Sequence, residues 1–150
     1  MHYGLPCLMI LSRQTLPFVT KLNIDISKGA YIISKENKKA KYTIIATGSE
    51  VALALDVQKI LLEKKIDVRV VSMPCVELFD GLSKKEQQKI LGNTKDKCIV
   101  LEMLSSIGWY KYADTVFGID SFGTSAPAKD VIKHFGFEAA PIADKIIKIK

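Results

Sequence analysis

The sequence predicts an α/β domain: a mostly parallel sheet covered by helices on both faces, a Rossmann-like three-layer arrangement with one antiparallel strand. Three observations lead there. Short continuous apolar runs recur along the chain, as in strands buried on both faces. Longer stretches with helical periodicity stand between them, and strands alternating with helices build parallel sheets. Ahead of that alternation, Gly29–Ser34 and Tyr42–Ala46 are separated only by the charged stretch Lys35–Lys41. Such a turn suits a hairpin and makes the first of these strands antiparallel to the next.

Taken in order, Cys7–Leu11 is a continuous apolar run expected as a strand buried on both faces, and Ser12–Asp25, with Pro17, reads as a connection. Gly29–Ser34 and Tyr42–Ala46 follow as strands. Thr47-Gly48-Ser49 is a tight turn into a helix over Glu50–Lys65, whose polar Asp56, Lys59 and Glu63 form one stripe against Val, Leu, Ile and Ala. Ser49 is the expected N-cap, and Glu50 and Lys64-Lys65 complement the helix dipole. Asp67–Ser72 is a strand ended by Met73-Pro74, and Ser83–Leu91 a short amphipathic helix capped by Ser83. Lys97–Glu102 is a strand, Ser105–Tyr112 a turn with a helical start, and Val116–Asp120 a further strand. Helices over Ala128–Phe135 and about Ala139–Ile149 close the chain. The one boundary that composition suggests lies near Ile24–Lys28, dividing 1–25 from a domain over 26–150.

Composition narrows the function classes. At 150 residues and 48% apolar content, the chain is long and hydrophobic enough for one folded core. Its net charge of +6 invites nucleic acid as a partner. The lysines are scattered, however, no aromatics interleave with arginines, and no RNP, KH or zinc-finger pattern occurs. Solvated lysine faces account for the charge, and no nucleic-acid partner is expected. No apolar run reaches membrane-spanning length, and Leu5–Leu11 lacks the basic residue before it and the cleavage site after it that a signal peptide needs. The three cysteines, Cys7, Cys75 and Cys98, lie far apart and fit free thiols in a reducing compartment, so a cytoplasmic location is expected.

In an open parallel sheet, ligands meet the loops at the carboxyl ends of the strands. Arg13, one of only two arginines, stands at the exit of the first apolar run. Its guanidinium suits a bidentate grip on phosphate or carboxylate; capping carbonyls or pairing with a surface acid is the plainer alternative. Gly48, Ser49 and Glu50 open a helix whose free N–H groups suit an anion, or else form a glycine turn with a serine cap. Ser105, Ser106 and Trp109, the only tryptophan, stand at another strand exit and fit an interface, although Trp109 equally suits a core. His2 and His134 have no nucleophile–acid set around them, and neither paired carboxylates nor a metal-ligand cluster is evident. The residues by themselves describe an α/β module without a complete active site, with no catalytic residue assigned.

In order along the chain, the strings Leu11-Ser12-Arg13-Gln14, Leu16-Pro17, Ala46-Thr47-Gly48-Ser49-Glu50-Val51 and Val68-Arg69-Val70-Val71-Ser72-Met73-Pro74 resemble the C-terminal part of transketolases. So do Glu77-Leu78-Phe79, Gly108-Trp109, Lys111-Tyr112, Gly118-Ile119-Asp120, Phe122-Gly123, Ser125-Ala126-Pro127 and Phe135-Gly136-Phe137. The resemblance covers nearly the whole chain. It implies a five-stranded mixed domain over 26–150, preceded over 1–25 by the tail of a pyrimidine-binding domain (its last strand, about residues 1–22) plus a linker. It further implies an enzyme of the pentose phosphate pathway that moves a two-carbon ketol unit between phosphorylated sugars, using thiamine diphosphate and Mg2+, in a homodimer. On this resemblance Arg13 matches an arginine that contacts substrate phosphate. Tyr110 and Thr15 depart from the histidine and asparagine common at those places. The Gly-Asp-Gly cofactor motif, the magnesium ligands and the activating glutamate are absent from the sequence, so the cofactor is expected to be held by the remaining domains and second subunit, and the isolated chain to be inactive. The alternative is a non-catalytic interaction, regulatory or anion-binding module.

Overall fold

A computed structural model describes residues 8–12 and 14–149. The sheet begins with β1 (Tyr31–Ser34) and β2 (Tyr42–Ala46). Helix α1 (Glu50–Glu63) leads into β3 (Val68–Ser72), and α2 (Val76–Asp80) and α3 (Lys84–Leu91) lead to β4 (Cys98–Leu101). A short β5 (Thr115–Phe117) precedes α4 (Ala128–His134) and α5 (Ala139–Ile147). The strand order is β1-β3-β2-β4-β5, with every pairing parallel except β1 against β3. This is the mixed α/β class that the sequence predicts.

The expected hairpin is not formed. β1 does run opposite to β2, but β3 lies between them, and Tyr31 pairs with Ser72. The connection 35–41 does not turn tightly; Asp67, just ahead of β3, accepts the Asn37 and Lys38 N–H groups at 3.0 and 2.7 Å and holds that segment over β3's entry. Leaving β3 beside β2 keeps both strands central and apolar, while the half-buried β1 takes the edge.

Alternation within the strands divides the core. Ile44, Ala46, Val70, Ile99 and Leu101 face α1 and α5 and pack with Val57, Leu61, Ile142 and Ile146. Ile45, Val71, Cys98 and Val100 face the other side and pack with Phe79, Ile90 and Tyr112. Successive side chains on a strand point to opposite faces, so these runs require cover on both sides. Cys98 is buried, and its thiol is pushed up to about 12, chiefly by that burial; Cys75 is half-buried.

Local chemistry corrects several boundaries. α1 stops at Glu63 because Lys65 takes a left-handed φ of 62°. Ser49 does not cap it: that side chain makes no cap bond to the helix backbone. Ser83 does cap α3, in a reciprocal capping box with Glu86. β5 is shorter than expected and ends at Phe117, after which the Ile119 N–H bonds to the Leu104 carbonyl of a loop instead of a strand. The single turn α2 escaped the sequence reading; Gly29 explains its fit, with φ +72° and a position where any Cβ would overlap the Cys75 carbonyl and the Phe79 amide. The described part of the first apolar run, Leu8–Leu11, is neither a strand nor buried. No strand in the described chain pairs with it, and its apolar side chains are exposed.

Candidate functional site

Parallel strands β2, β3 and β4 deliver their carboxyl ends to one edge of the sheet, and most of the residues singled out from sequence gather there. Gly48 turns the chain out of β2 with φ +53° and open space around its Cα. Next to it the connection 16–20 crosses the edge and leaves a groove of about 250 Å3, lined by Pro17, Phe18, Tyr31, Gly48, Val51 and Ser72. Arg13 lies outside the described residues, as do His2 and Cys7. His134 ends α4, exposed and edge-on to Phe135.

At the start of α1 the backbone meets a carboxyl group from its own first residue. Glu50 is buried, takes the Ser49 hydroxyl at 2.6 Å, and accepts N–H bonds from Met103 and from itself. The helix's positive end is thus answered from within the chain. Glu102, at the exit of β4, is also buried and accepts the Leu104 N–H. Burial pushes its carboxyl up to about 7, and the Glu50 charge adds to that; burial raises Glu50 as well. The sequence showed no paired carboxylates, but the fold makes this pair from residues more than fifty positions apart. Their only sequence signal is that each follows an apolar strand.

The loop after Glu102 is fastened to the exit of β5. Asp120 accepts the Ser106 N–H at 2.8 Å, the Ser106 hydroxyl at 2.7 Å and the Ser105 hydroxyl at 3.1 Å, which holds its carboxyl below the ordinary value. Gly118 is required beneath, where a Cβ would meet Ser106 at 3.0 Å. Ser105 and Ser106 therefore serve first to shape this edge. Trp109 sits half-buried in a 3-10 turn over Ile107–Lys111, edge-on to Tyr112 at 6.0 Å, and belongs partly to the core. Leu104, Ile107 and Phe122 stand exposed on the same edge.

A second groove, of about 260 Å3, lies near the opposite end of the sheet between α3 and Lys111. Two of its lysines are already paired, Lys111 with Asp80 at 2.6 Å and Lys95 with Asp114 at 2.9 Å. Among the described residues, no group of three metal-ligating side chains comes together and no helix is long and apolar enough to cross a membrane.

Fold and edge together define a mixed-sheet α/β domain whose exposed apolar groups and polar loops collect at the carboxyl ends of its strands. The family model for the transketolase-like C-terminal domain matches residues 29–138, and the chain belongs to that family. A transketolase of Bacillus subtilis is 37% identical over 149 residues, 94% of this chain and 22% of that protein. The crystal structure of a transketolase variant from Pichia stipitis superposes with a TM-score of 0.83 at 36% identity, over 91% of this chain and 20% of the other. Another Pichia stipitis transketolase, in complex with sedoheptulose-7-phosphate, gives 0.76 at 36% identity over 82% of this chain. The chain spans about a fifth of the length of the relatives it matches. It corresponds to a transketolase C-terminal portion.

Proposed function

We propose that this polypeptide serves as the C-terminal portion of an enzyme that transfers a two-carbon ketol unit between phosphorylated sugars. The observation that carries the reading is the likeness to transketolases in both sequence and fold over nine-tenths of the chain. One such relative binds sedoheptulose-7-phosphate, a substrate of the proposed class. On this reading residues 1–25 are the tail of a preceding pyrimidine-binding domain plus a linker, and 26–150 form the C-terminal domain. The active form is a cytoplasmic homodimer.

Thiamine diphosphate and Mg2+ do not fit the residues described. The first turn of α1 faces its own buried Glu50 carboxyl, and a second buried acid, Glu102, lies beside it. That setting repels a diphosphate. The cofactor belongs to the other domains. This chain's part in substrate handling falls to Arg13, proposed to hold the substrate phosphate through charge-assisted hydrogen bonds.

A chimera tests the proposal. Residues 26–150 replace the matching part of the Bacillus subtilis enzyme, and ketol transfer is followed; retention of activity supports the reading, while a folded, inactive chimera counts against it. Extending the graft to residue 8 and changing Arg13→Ala should raise KM for phosphorylated donors about ten- to a hundredfold, as loss of one charged contact predicts, and leave unphosphorylated analogues nearly unaffected. Equal loss on both would remove the phosphate role.

A further inference from the structure

The hydroxyl groups at the carboxyl edge fall into two sets. Ser49 gives its hydroxyl to Glu50, and Ser105 and Ser106 give theirs to Asp120. Thr20, Tyr31 and Ser72 give theirs to no described residue, and all three line the groove under the connection 16–20. Ser72 is only 5% exposed, and a buried hydroxyl is normally hydrogen-bonded. Among the described residues no fully buried polar side-chain atom lacks a partner, so the Ser72 hydroxyl reaches solvent, and the groove is the opening on which Ser72 lies. It is placed to meet whatever enters there.

Strand register brings these groups together. Ser72 stands two residues beyond Val70 on β3 and shares its face, the one that α1 covers. Tyr31 lies opposite Ser72 in the antiparallel pairing and therefore on that face too. Val51 from the first turn of α1 and Val19 from the connection add apolar walls, both packed into the same core cluster. Phe18, 83% exposed, flanks the opening with its ring. Gly48 leaves space, since a Cβ there would meet nothing within 4 Å. Charge is missing from the lining: none of the described lining residues is a lysine, an arginine or an acid. Glu50, close by in the first turn of α1, keeps its carboxyl buried on the Ser49 hydroxyl, which disfavours an anion beside it.

We propose that this groove binds one small neutral polyol, a ring carrying several hydroxyls. Its C–H face lies against Tyr31, Val51 and Phe18, and its hydroxyls exchange hydrogen bonds with Thr20, Tyr31 and Ser72. The chemistry matches on both counts. Protein hydroxyls both donate and accept, as the hydroxyls of a polyol do, and apolar walls with a few placed polar groups are how small-molecule sites are built. At about 250 Å3 the groove has room for a single ring. The site is a property of this chain and does not rest on the ketol-transfer reading, whose sugars are phosphorylated.

The test titrates myo-inositol, with its monophosphate as the charged counterpart, into the isotope-labelled chain and follows the amide signals by NMR. Saturable shifts at Tyr31, Gly48, Val51 and Ser72 are expected, with a Kd of roughly a few millimolar, as a molecule of that size gains at ordinary ligand efficiency. The monophosphate should bind several-fold more weakly. Ser72→Ala and Tyr31→Phe should each raise Kd about two- to tenfold, as loss of one neutral hydrogen bond predicts. Phe18→Ala, at an exposed position that the core does not use, should raise it as well and decides the matter if either of the other variants fails to fold. Shifts that do not saturate by about 50 mM, equal or tighter binding of the monophosphate, or an unchanged Kd in the folded variants overturns the site.

Discussion

The two ends of the sheet are built on opposite electrostatic plans. At the amino end Arg69 reaches out of β3 to grip Glu36 through two bonds of 2.8 and 2.5 Å, while also donating to the Lys89 and Ile90 carbonyls that end α3. Thr43 gives its hydroxyl to the Leu91 carbonyl at 2.6 Å and receives the Asn93 amide. Opposite charges meet there, and orphan helix carbonyls find donors. At the carboxyl end like charges meet instead, around Glu50 and Glu102, and Leu104, Ile107 and Phe122 stand in water. The amino end joins opposite charges, whereas the carboxyl end buries two acids beside exposed apolar side chains.

Breaking the amino end should have the largest effect. Arg69→Ala strands the Glu36 carboxylate and two helix carbonyls and should cost about 3–5 kcal/mol in denaturant unfolding. Gly92→Ala should follow at roughly 2 kcal/mol, because its φ of +72° is left-handed and a Cβ there would overlap the Arg69 guanidinium. The two ends should also separate by pH. Glu36 is held below its ordinary value by its bond to Arg69, so its contribution is present above about 4.5 and is lost as pH falls through its folded value. An acid titration of Arg69→Met should lose part of that sensitivity. Glu102 has the reverse sign: Glu102→Gln should match wild type at pH 5 and exceed it at pH 8 by on the order of 1–2 kcal/mol, a range discounted for partial hydration at the edge. The smallest effect is expected from Ile107→Ser with Phe122→Ser, within about 0.5 kcal/mol, as both side chains are exposed. In the Bacillus chimera the same double change should lower activity or assembly if this edge meets the other domains.

How much of this was legible in the sequence depended on how local the cause was. The capping box at Ser83 and Glu86 is written within four residues, and the β2–turn–α1 unit within the continuous stretch Tyr42–Glu63. The ordered strings from Leu11 to Phe137 were enough to reach the family. The β1–β3 pairing was not readable, because a short charged connection fits a hairpin equally well and the competing strand lies farther along. Nor was the acid pair, since Glu50 reads as a helix-dipole partner and Glu102 as a strand end until the parallel register aligns Ala46 with Leu101. Leu8–Leu11 carries the pattern of a buried strand, but pattern alone cannot supply a neighbouring strand.

Placing β3 between β1 and β2 also orders events in time. β1 is made before β3, and its partner at Ser72 lies roughly forty residues downstream, so the pairing is non-local and costs loop-closure entropy. Until β3 has docked beside β2, Tyr31–Ser34 is an unpaired ribbon ahead of a forming nucleus. Tyr31–Ser34 thus cannot join its sheet before Val68–Ser72 has been made, and a translational pause before Val68 would lengthen the interval in which another chain can take its place.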